Sequence, residues 1–373
     1  MKVTVTKNLN VRVGSPSLNA PTYQYLAPGS ELEVDGTLYN GDPYDGIDTW
    51  YKDKAGNYYW SGGVSLENKA VFNLSTLNTD IDDKGLQWWH KDYGIPKIWK
   101  NWSLGYGANV VVLDSGYDKN HPLSRKDING WNFVDNSNDF HDYNGHGTSV
   151  VSVINNNNEQ LYGIAPECSV FVSKIIKRDV NQNDLIKALN NCIGSNVDII
   201  SISYSFKESD KNLMKMNDFL KAIESNSDKI IVCSVGNNSD KTKIENNYPA
   251  KFSSTIGVGS INKSRKIAKQ SSRTNAVNIV APGETLNLID IDSSGLSSFQ
   301  GTSYSTPFVT GVIALMVSYA KKVKPTLPVS NWGIGQILLE TAYFDNSMDQ
   351  ELFGRGIIDP IKAFSKLEKI IKS

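Results

Sequence analysis

Val110-Val111-Val112-Leu113-Asp114-Ser115-Gly116 is an apolar run of strand length that ends in an acid and a tight turn. Working outward, comparable apolar runs recur at 197–203, 229–235 and 255–258. Between them, residues 184–193 carry Leu185, Ile186, Ala188, Leu189, Cys192 and Ile193 at helical spacing. Leu213, Met216, Phe219, Leu220 and Ile223 mark a second amphipathic helix, and 333–342 and 361–371 read as closing helices. Strands alternating with helices imply an α/β fold, a three-layer α/β/α arrangement around a mainly parallel sheet. In such a sheet ligands meet the protein at the carboxyl ends of the strands, which is where Asp114 stands.

The front of the chain has a different texture. Short alternating runs at 3–5, 9–13, 31–34, 49–51 and 58–60 are separated by turn clusters such as Ala27-Pro28-Gly29-Ser30 and Lys54-Ala55-Gly56-Asn57. Gly41-Asp42-Pro43-Tyr44-Asp45-Gly46 reads as a further loop. Residues 1–66 are therefore expected to form a small all-β unit, 67–83 a linker, and 84–373 the α/β region. Leu9-Asn10-Val11-Arg12, Ala27-Pro28-Gly29-Ser30 and Trp50-Tyr51-Lys52 resemble the bacterial SH3-like barrel.

Composition narrows the partners. Lys plus Arg number 38 and Asp plus Glu 39, a balance that gives no support to nucleic acid or an anionic membrane as a partner. No apolar stretch approaches the roughly 20 residues that span a bilayer. The longest, 309–317, is broken by Thr310 and Gly311 and fits a buried helix. Met1-Lys2-Val3-Thr4-Val5-Thr6 alternates like a strand and lacks the apolar core of a signal peptide, so the expected location is cytoplasmic, or secreted if the start was processed. Cys168, Cys192 and Cys233 are odd in number and scattered, which argues against a disulfide framework or a zinc site. Cys233, inside an apolar run, reads as a core residue.

Three segments carry chemistry. Asp114 after its strand could be held by backbone amides and used to orient a histidine, although an acid there is also an ordinary helix cap. His146 stands in Asn144-Gly145-His146-Gly147-Thr148-Ser149, where flanking glycines let the backbone crowd it at a helix start. Ser303 stands in Gln300-Gly301-Thr302-Ser303-Tyr304-Ser305-Thr306-Pro307. Proline is tolerated in a first helical turn, so Pro307 places Ser303 at or just before a helix N-terminus, where free amides favour developing negative charge. Taken alone, Ser303 is equally a helix cap.

The order of the three decides between these readings. A serine nucleophile needs a histidine base, and the base needs a carboxylate on its other nitrogen. An α/β-hydrolase places its histidine after the serine, yet the last histidine here is His146, and Ser305 breaks the Gly-x-Ser-x-Gly elbow. A papain-like enzyme fails because every cysteine follows every histidine, and no His-Glu-x-x-His motif exists. Asp, then His, then Ser is the subtilisin order. Asp114-Ser115-Gly116, His146-Gly147-Thr148 and Gly301-Thr302-Ser303 resemble the three signature segments of the subtilisin-like serine peptidases. Gly163-Ile164-Ala165-Pro166, Tyr248-Pro249-Ala250 and Ala281-Pro282-Gly283 follow in the matching order, so the likeness runs from about Trp88 to Ala363.

The resemblance implies a serine endopeptidase working through an acyl-enzyme, with Asp114, His146 and Ser303 as triad. Asn237, in Gly236-Asn237-Asn238, matches the family's oxyanion asparagine; on its own it would be a turn residue. Substrate is expected to add as a strand along Ser203-Tyr204-Ser205, with Tyr204 and Phe206 narrowing or roofing the cleft where relatives carry small residues. Asn247 is expected near the floor of the primary pocket, favouring a polar side chain. Departures are visible: Ser149 and Ser152 in His146-Gly147-Thr148-Ser149-Val150-Val151-Ser152 change helix packing, and Leu123 after His121-Pro122 removes a carboxylate used for calcium with the 155–161 loop. No metal or cofactor is expected beyond, at most, weak calcium. The SH3-like unit stands where a propeptide would, and targeting, substrate recognition or a protein or cell-wall ligand are its candidate roles. A catalytically silent relative that only binds is the alternative.

Overall fold

The computed structural model describes residues 2–27, 30–65, 83–207, 216–238, 247–324 and 331–372. The stretch read as a linker, apart from Asp83, and Leu213 of the second amphipathic helix lie outside these residues. The chain divides into two compact units, Met1–Asp80 with Asn191–Asn196, and Ile81–Asn190 with Val197–Ser373.

The first unit is built from β1 (Lys2–Val5), β2 (Leu9–Val13), β3 (Thr22–Leu26), β4 (Glu31–Glu33), β5 (Tyr39–Tyr44), β6 (Ile47–Lys52), β7 (Asn57–Trp60) and β8 (Val64–Ser65). They form two antiparallel sheets, β4-β1-β8 and β3-β2-β7-β6-β5. Val3, Val5, Leu9, Val11, Leu26, Trp50 and Trp60 make its core. Gly41–Tyr44 is strand rather than loop. Asp45 and Gly46 (φ 51° and 77°) form the two-residue turn between Tyr44 and Ile47, a conformation whose twist suits a hairpin. Pro43 is accommodated because β5 lies at the sheet edge, where a missing N–H breaks no ladder.

The second unit opens with α1 (Trp88–Asp92) and α2 (Ile95–Asn101), then β9 (Asn109–Asp114), β10 (Asn129–Asn132) and α3 (His146–Ile154). A small hairpin of β11 (Asn157–Asn158) and β12 (Leu161–Tyr162) precedes β13 (Ser169–Lys174), α4 (Gln182–Cys192), β14 (Ile199–Ile202), β15 (Phe206–Lys207), α5 (Met216–Glu224) and β16 (Ile230–Ser234). There follow β17 (Asn247–Tyr248), β18 (Thr255–Ile261), β19 (Ile279–Pro282), β20 (Leu286–Ile289), β21 (Leu296–Phe299), α6 (Thr302–Val323), α7 (Asn331–Glu340), α8 (Gln350–Phe353) and α9 (Pro360–Lys372). Seven parallel strands pair in the order β10-β13-β9-β14-β16-β18-β19. Every residue of β9, β13, β14, β16 and β18 is buried, as expected of strands covered on both faces. The fold is the expected subtilisin-like one.

Helix α6 packs against β14, β16, β18 and β19, and from Thr302 to Ala320 only Ser303 escapes burial. Pro307 is the sixth residue of α6, not a first-turn residue as its helix-starting reading required. The chain enters the sheet at β9, runs to the edge at β10, returns through β13, and then crosses to β14 on the other side of β9. The carboxyl ends of β9 and β14 therefore flank a topological switch point, the crevice where open α/β sheets bind their ligands.

Candidate active site

Asp114 is the last residue of β9, and Ser203 immediately follows β14. Asn237 lies three residues beyond β16, His146 opens α3, and Ser303 is the second residue of α6. Strand ends and helix starts thus bring these positions to one side of the sheet. Gly147 permits one close approach. A Cβ there would sit 2.3 Å from the Gly116 carbonyl oxygen, so only glycine lets α3 begin against the turn after β9.

Asp114 is 1 % exposed, and its Oδ1 accepts from the Ser115 amide (2.7 Å) and lies 2.7 Å from His146 Nδ1. With that carboxylate as partner, Nδ1 carries the proton and donates. Burial by itself lowers the His146 pKa; the Asp114 charge and hydrogen bond, with a weaker contribution from Asp142, outweigh it and raise the net value above the ordinary histidine range.

Ser303 Oγ donates to the backbone carbonyl of Ser203 (3.2 Å), and Ser203 Oγ donates to the backbone carbonyl of Ser303 (2.9 Å). The nucleophile candidate is thus turned toward Ser203 rather than hydrogen-bonded to His146. Tyr304 packs its ring 5.8 Å from the His146 ring and 5.5 Å from Phe299, joining the start of α6 to the imidazole.

Asn237 is held by its carbonyl side. Its Oδ1 accepts from the Thr302 amide (2.9 Å) and the Thr302 hydroxyl (3.1 Å), which fixes the amide orientation and leaves Nδ2 to donate elsewhere. Nδ2 passes over Gly301 (φ 147°), where a Cβ would stand 3.1 Å from it. The positions of Asn237 and of the Ser303 amide at a helix N-terminus suit a developing oxyanion.

Among the residues expected to meet substrate, Ser203 is buried, Tyr204 and Ser205 are half-buried, and Asn247 is buried with Nδ2 donating to the Val235 carbonyl. Ser205 Oγ, Asn247 Nδ2 and Ser272 Oγ all come close to Gly236, so a polar cluster adjoins Asn237. Phe206 does not roof the cleft. It is 6 % exposed and packs with Phe219 and Tyr248, because burying an aromatic ring is favourable.

One support, Asp142, has no counterpart in the sequence reading, and a second, Ser149, does more than the change of helix packing expected of it. Asp142, 1 % exposed, accepts through Oδ1 from Ser115 Oγ (2.9 Å) and the amides of Asn144 and Gly145 (3.0 Å each). Its Oδ2 accepts from the amide (2.9 Å) and hydroxyl (2.7 Å) of Thr148. Ser115 Oγ in turn accepts from the Gly147 amide (2.9 Å), so one carboxylate ties the β9 turn to the start of α3. An acid just ahead of a helix start, with a threonine inside the first turn, was the available signal. Ser149 is the second support: its hydroxyl donates to the carbonyls of Gly145 (2.9 Å) and Ile289 (2.8 Å), anchoring the β20–β21 hairpin beside His146.

The 155–161 loop carries one carboxylate, Glu159, and the buried Asn155 Oδ1 has no hydrogen-bond partner among the described residues. Asn155 Nδ2 donates to the Cys168 carbonyl, Asn158 Oδ1 accepts from the Gln160 amide, and Leu123 is buried at the position of the absent carboxylate. No group of three or more His, Cys, Asp or Glu side chains that could hold a metal occurs among the described residues.

The Subtilase family model matches residues 105–356, and the chain belongs to that family of serine peptidases. It is a subtilisin-like serine peptidase. An intracellular serine protease of Paenibacillus polymyxa is 34% identical over 262 residues, covering 63% of this chain and 78% of that protein. The major intracellular serine protease of Bacillus subtilis (strain 168) is 32% identical over 246 residues, covering 61% and 73%. Subtilisin E of the same organism is 30% identical over 322 residues, covering 81% and 80%. The crystal structure of MycP1 with its N-terminal propeptide removed shares the fold, with a TM-score of 0.62 at 21% identity over 74% of this chain and 96% of that one.

Proposed function

We propose that the chain is an endopeptidase in which Ser303 is the nucleophile, His146 the base, Asp114 its orienting carboxylate, and Asn237 with the Ser303 amide the oxyanion hole. The supporting observation is the 2.7 Å contact of a buried Asp114 with His146 Nδ1, which keeps the other ring nitrogen deprotonated and available as base. Ser303 Oγ turns from Ser203 toward His146 Nε2, gives up its proton there and attacks the scissile carbonyl carbon. The tetrahedral oxyanion is held by Asn237 Nδ2 and the Ser303 N–H. His146 returns the proton to the leaving amine, and water repeats the sequence on the acyl-enzyme. These steps call on no metal or organic cofactor.

Substrate lies as a strand along Ser203–Ser205, and the polar groups around Gly236 together with Asn247 favour a polar first-site side chain. The N-terminal unit is an SH3-like accessory module that carries the protease to a protein ligand. Its antiparallel strands support that reading. A cytoplasmic location accords with the intracellular proteases among the relatives, and no described helix is long and apolar enough to cross a membrane. The test is fluorophosphonate labelling and peptide-library hydrolysis by wild type and Ser303→Ala. Both activities should vanish in the variant; labelling that survives it would refute the assignment.

A further inference from the structure

Pro307 lies four residues after Ser303 inside α6. In a regular helix the amide of that residue donates to the carbonyl of Ser303, but proline has no N–H to give. The serine proposed as nucleophile therefore sits on a peptide carbonyl that its own helix cannot bind at that position. The neighbouring helical carbonyl of Thr302 has the Thr306 hydroxyl (2.9 Å) as an added donor. The Ser303 carbonyl takes the Ser203 hydroxyl at 2.9 Å, from a residue that is 4 % exposed and follows β14 directly.

We infer that the Ser203 hydroxyl is a positioning residue for the nucleophile, replacing the hydrogen bond that Pro307 removes. The consequence follows from covalent geometry. The Ser303 carbonyl belongs to the same residue as Oγ, so a carbonyl that tilts to find another partner carries the Cα, and with it Oγ and the adjoining amide, out of line with His146 and Asn237. Displacements well under the size of an atom are costly in such a site, since about 1 Å of misplacement can lower the rate 10²-fold. The strand end that receives substrate in the proposed function would then also hold the catalytic serine. Two hydrogen bonds join the residues, because Ser303 Oγ also rests on the Ser203 carbonyl (3.2 Å).

This inference rests on Ser303 being the nucleophile, and the experiment separates the two claims. Acylation of the full chain by a fluorophosphonate and turnover of a peptide ester are measured for wild type, Ser303→Ala, Ser203→Ala, Pro307→Ala and the Ser203→Ala/Pro307→Ala double variant. Loss of acylation in Ser303→Ala establishes the nucleophile. Ser203→Ala is then expected to lower kcat about 10-fold, equivalent to about 1.4 kcal/mol, with KM changed less than about twofold. In the Pro307→Ala background, where residue 307 regains an N–H, the same substitution should cost less than about threefold. Equal costs in the two backgrounds, or no cost in either, overturn the inference. Should Pro307→Ala fail to fold, Ser203→Cys decides: a thiol of similar size and poor donor strength must reproduce most of the Ser203→Ala loss, and wild-type turnover in it refutes the role.

Discussion

Acidification should destabilise the catalytic unit through a histidine outside the active site. His90 is fully buried in α1, stacked 3.8 Å from the Trp89 ring, and its Nδ1 accepts from the Gln87 amide (3.0 Å). Burial, only partly opposed by backbone hydrogen bonds with Tyr162 and Gln87, lowers its pKa from 6.5 to about 3. The unfolded chain therefore takes up a proton that the folded chain refuses. A group with a depressed folded pKa contributes stability that is present above its unfolded value and is lost as pH falls. The affected window here runs from about pH 6.5 down to about pH 3. Between pH 7 and pH 4 the loss is about 3 kcal/mol from this one residue, at about 1.4 kcal/mol per pKa unit. The assay is denaturant unfolding across that range in Ser303→Ala protein, to prevent self-digestion, with and without His90→Asn. Asparagine can still accept from Gln87 but does not titrate. Its stability is lower at pH 7, and its pH curve is expected to be flatter by about 3 kcal/mol. Parallel curves would refute the argument.

Further outcomes concern the site. Asn237→Ala should lower kcat by about 10²–10³ with little change in KM, read by steady-state kinetics on a peptide ester. The raised His146 pKa places the acid limb of the kcat/KM profile above the ordinary histidine range, because the base works only when neutral. Asp114→Asn should lower kcat about 10⁴-fold, and a wild-type limb at or below the ordinary histidine value would contradict the assigned pairing. Asp142→Ala leaves five donors without their acceptor. It should cost about 3 kcal/mol or more in unfolding free energy, and an unchanged melting temperature would show that the α3 start does not depend on it. Chelation by EDTA should leave the melting temperature within about 2 °C, since about 1 kcal/mol moves Tm by 2–4 °C in a domain of this size; a larger fall would reveal a metal site.

What could be read from the sequence was what repeats or what stands in fixed order. Fully apolar runs such as Val110–Leu113 announce buried parallel strands because no residue in them has to face water, and the Asp, His, Ser order removed the competing enzyme classes. Edge elements were harder. Gly41–Tyr44 contains a glycine and a proline, residues that argue against a strand until an edge position removes the objection. Phe206 shows the same limit from the other side: a local reading left it over the cleft, but Phe219 and Tyr248, distant in sequence and themselves packed on Phe252, draw it inward. Pro307 signalled the right helix, yet in the second turn it leaves the Ser303 carbonyl to the Ser203 hydroxyl just after β14, a partner that no local pattern contains. Asp142 was missed although its donors at Asn144, Gly145 and Thr148 are local; only the bond from Ser115 depends on β9 meeting α3.

The aromatic residue that follows Ser303 also affects chemical durability. Asp114, His146, Ser203, Asn237, Ser303 and Tyr304 contain no sulfur. The cysteines lie in the interior, where burial pushes the Cys168 thiol up to about 12, and Met316 is fully enclosed within α6. A mild oxidant that converts exposed thioethers to sulfoxides and low-pKa thiols to sulfenic acids therefore finds neither among these six side chains.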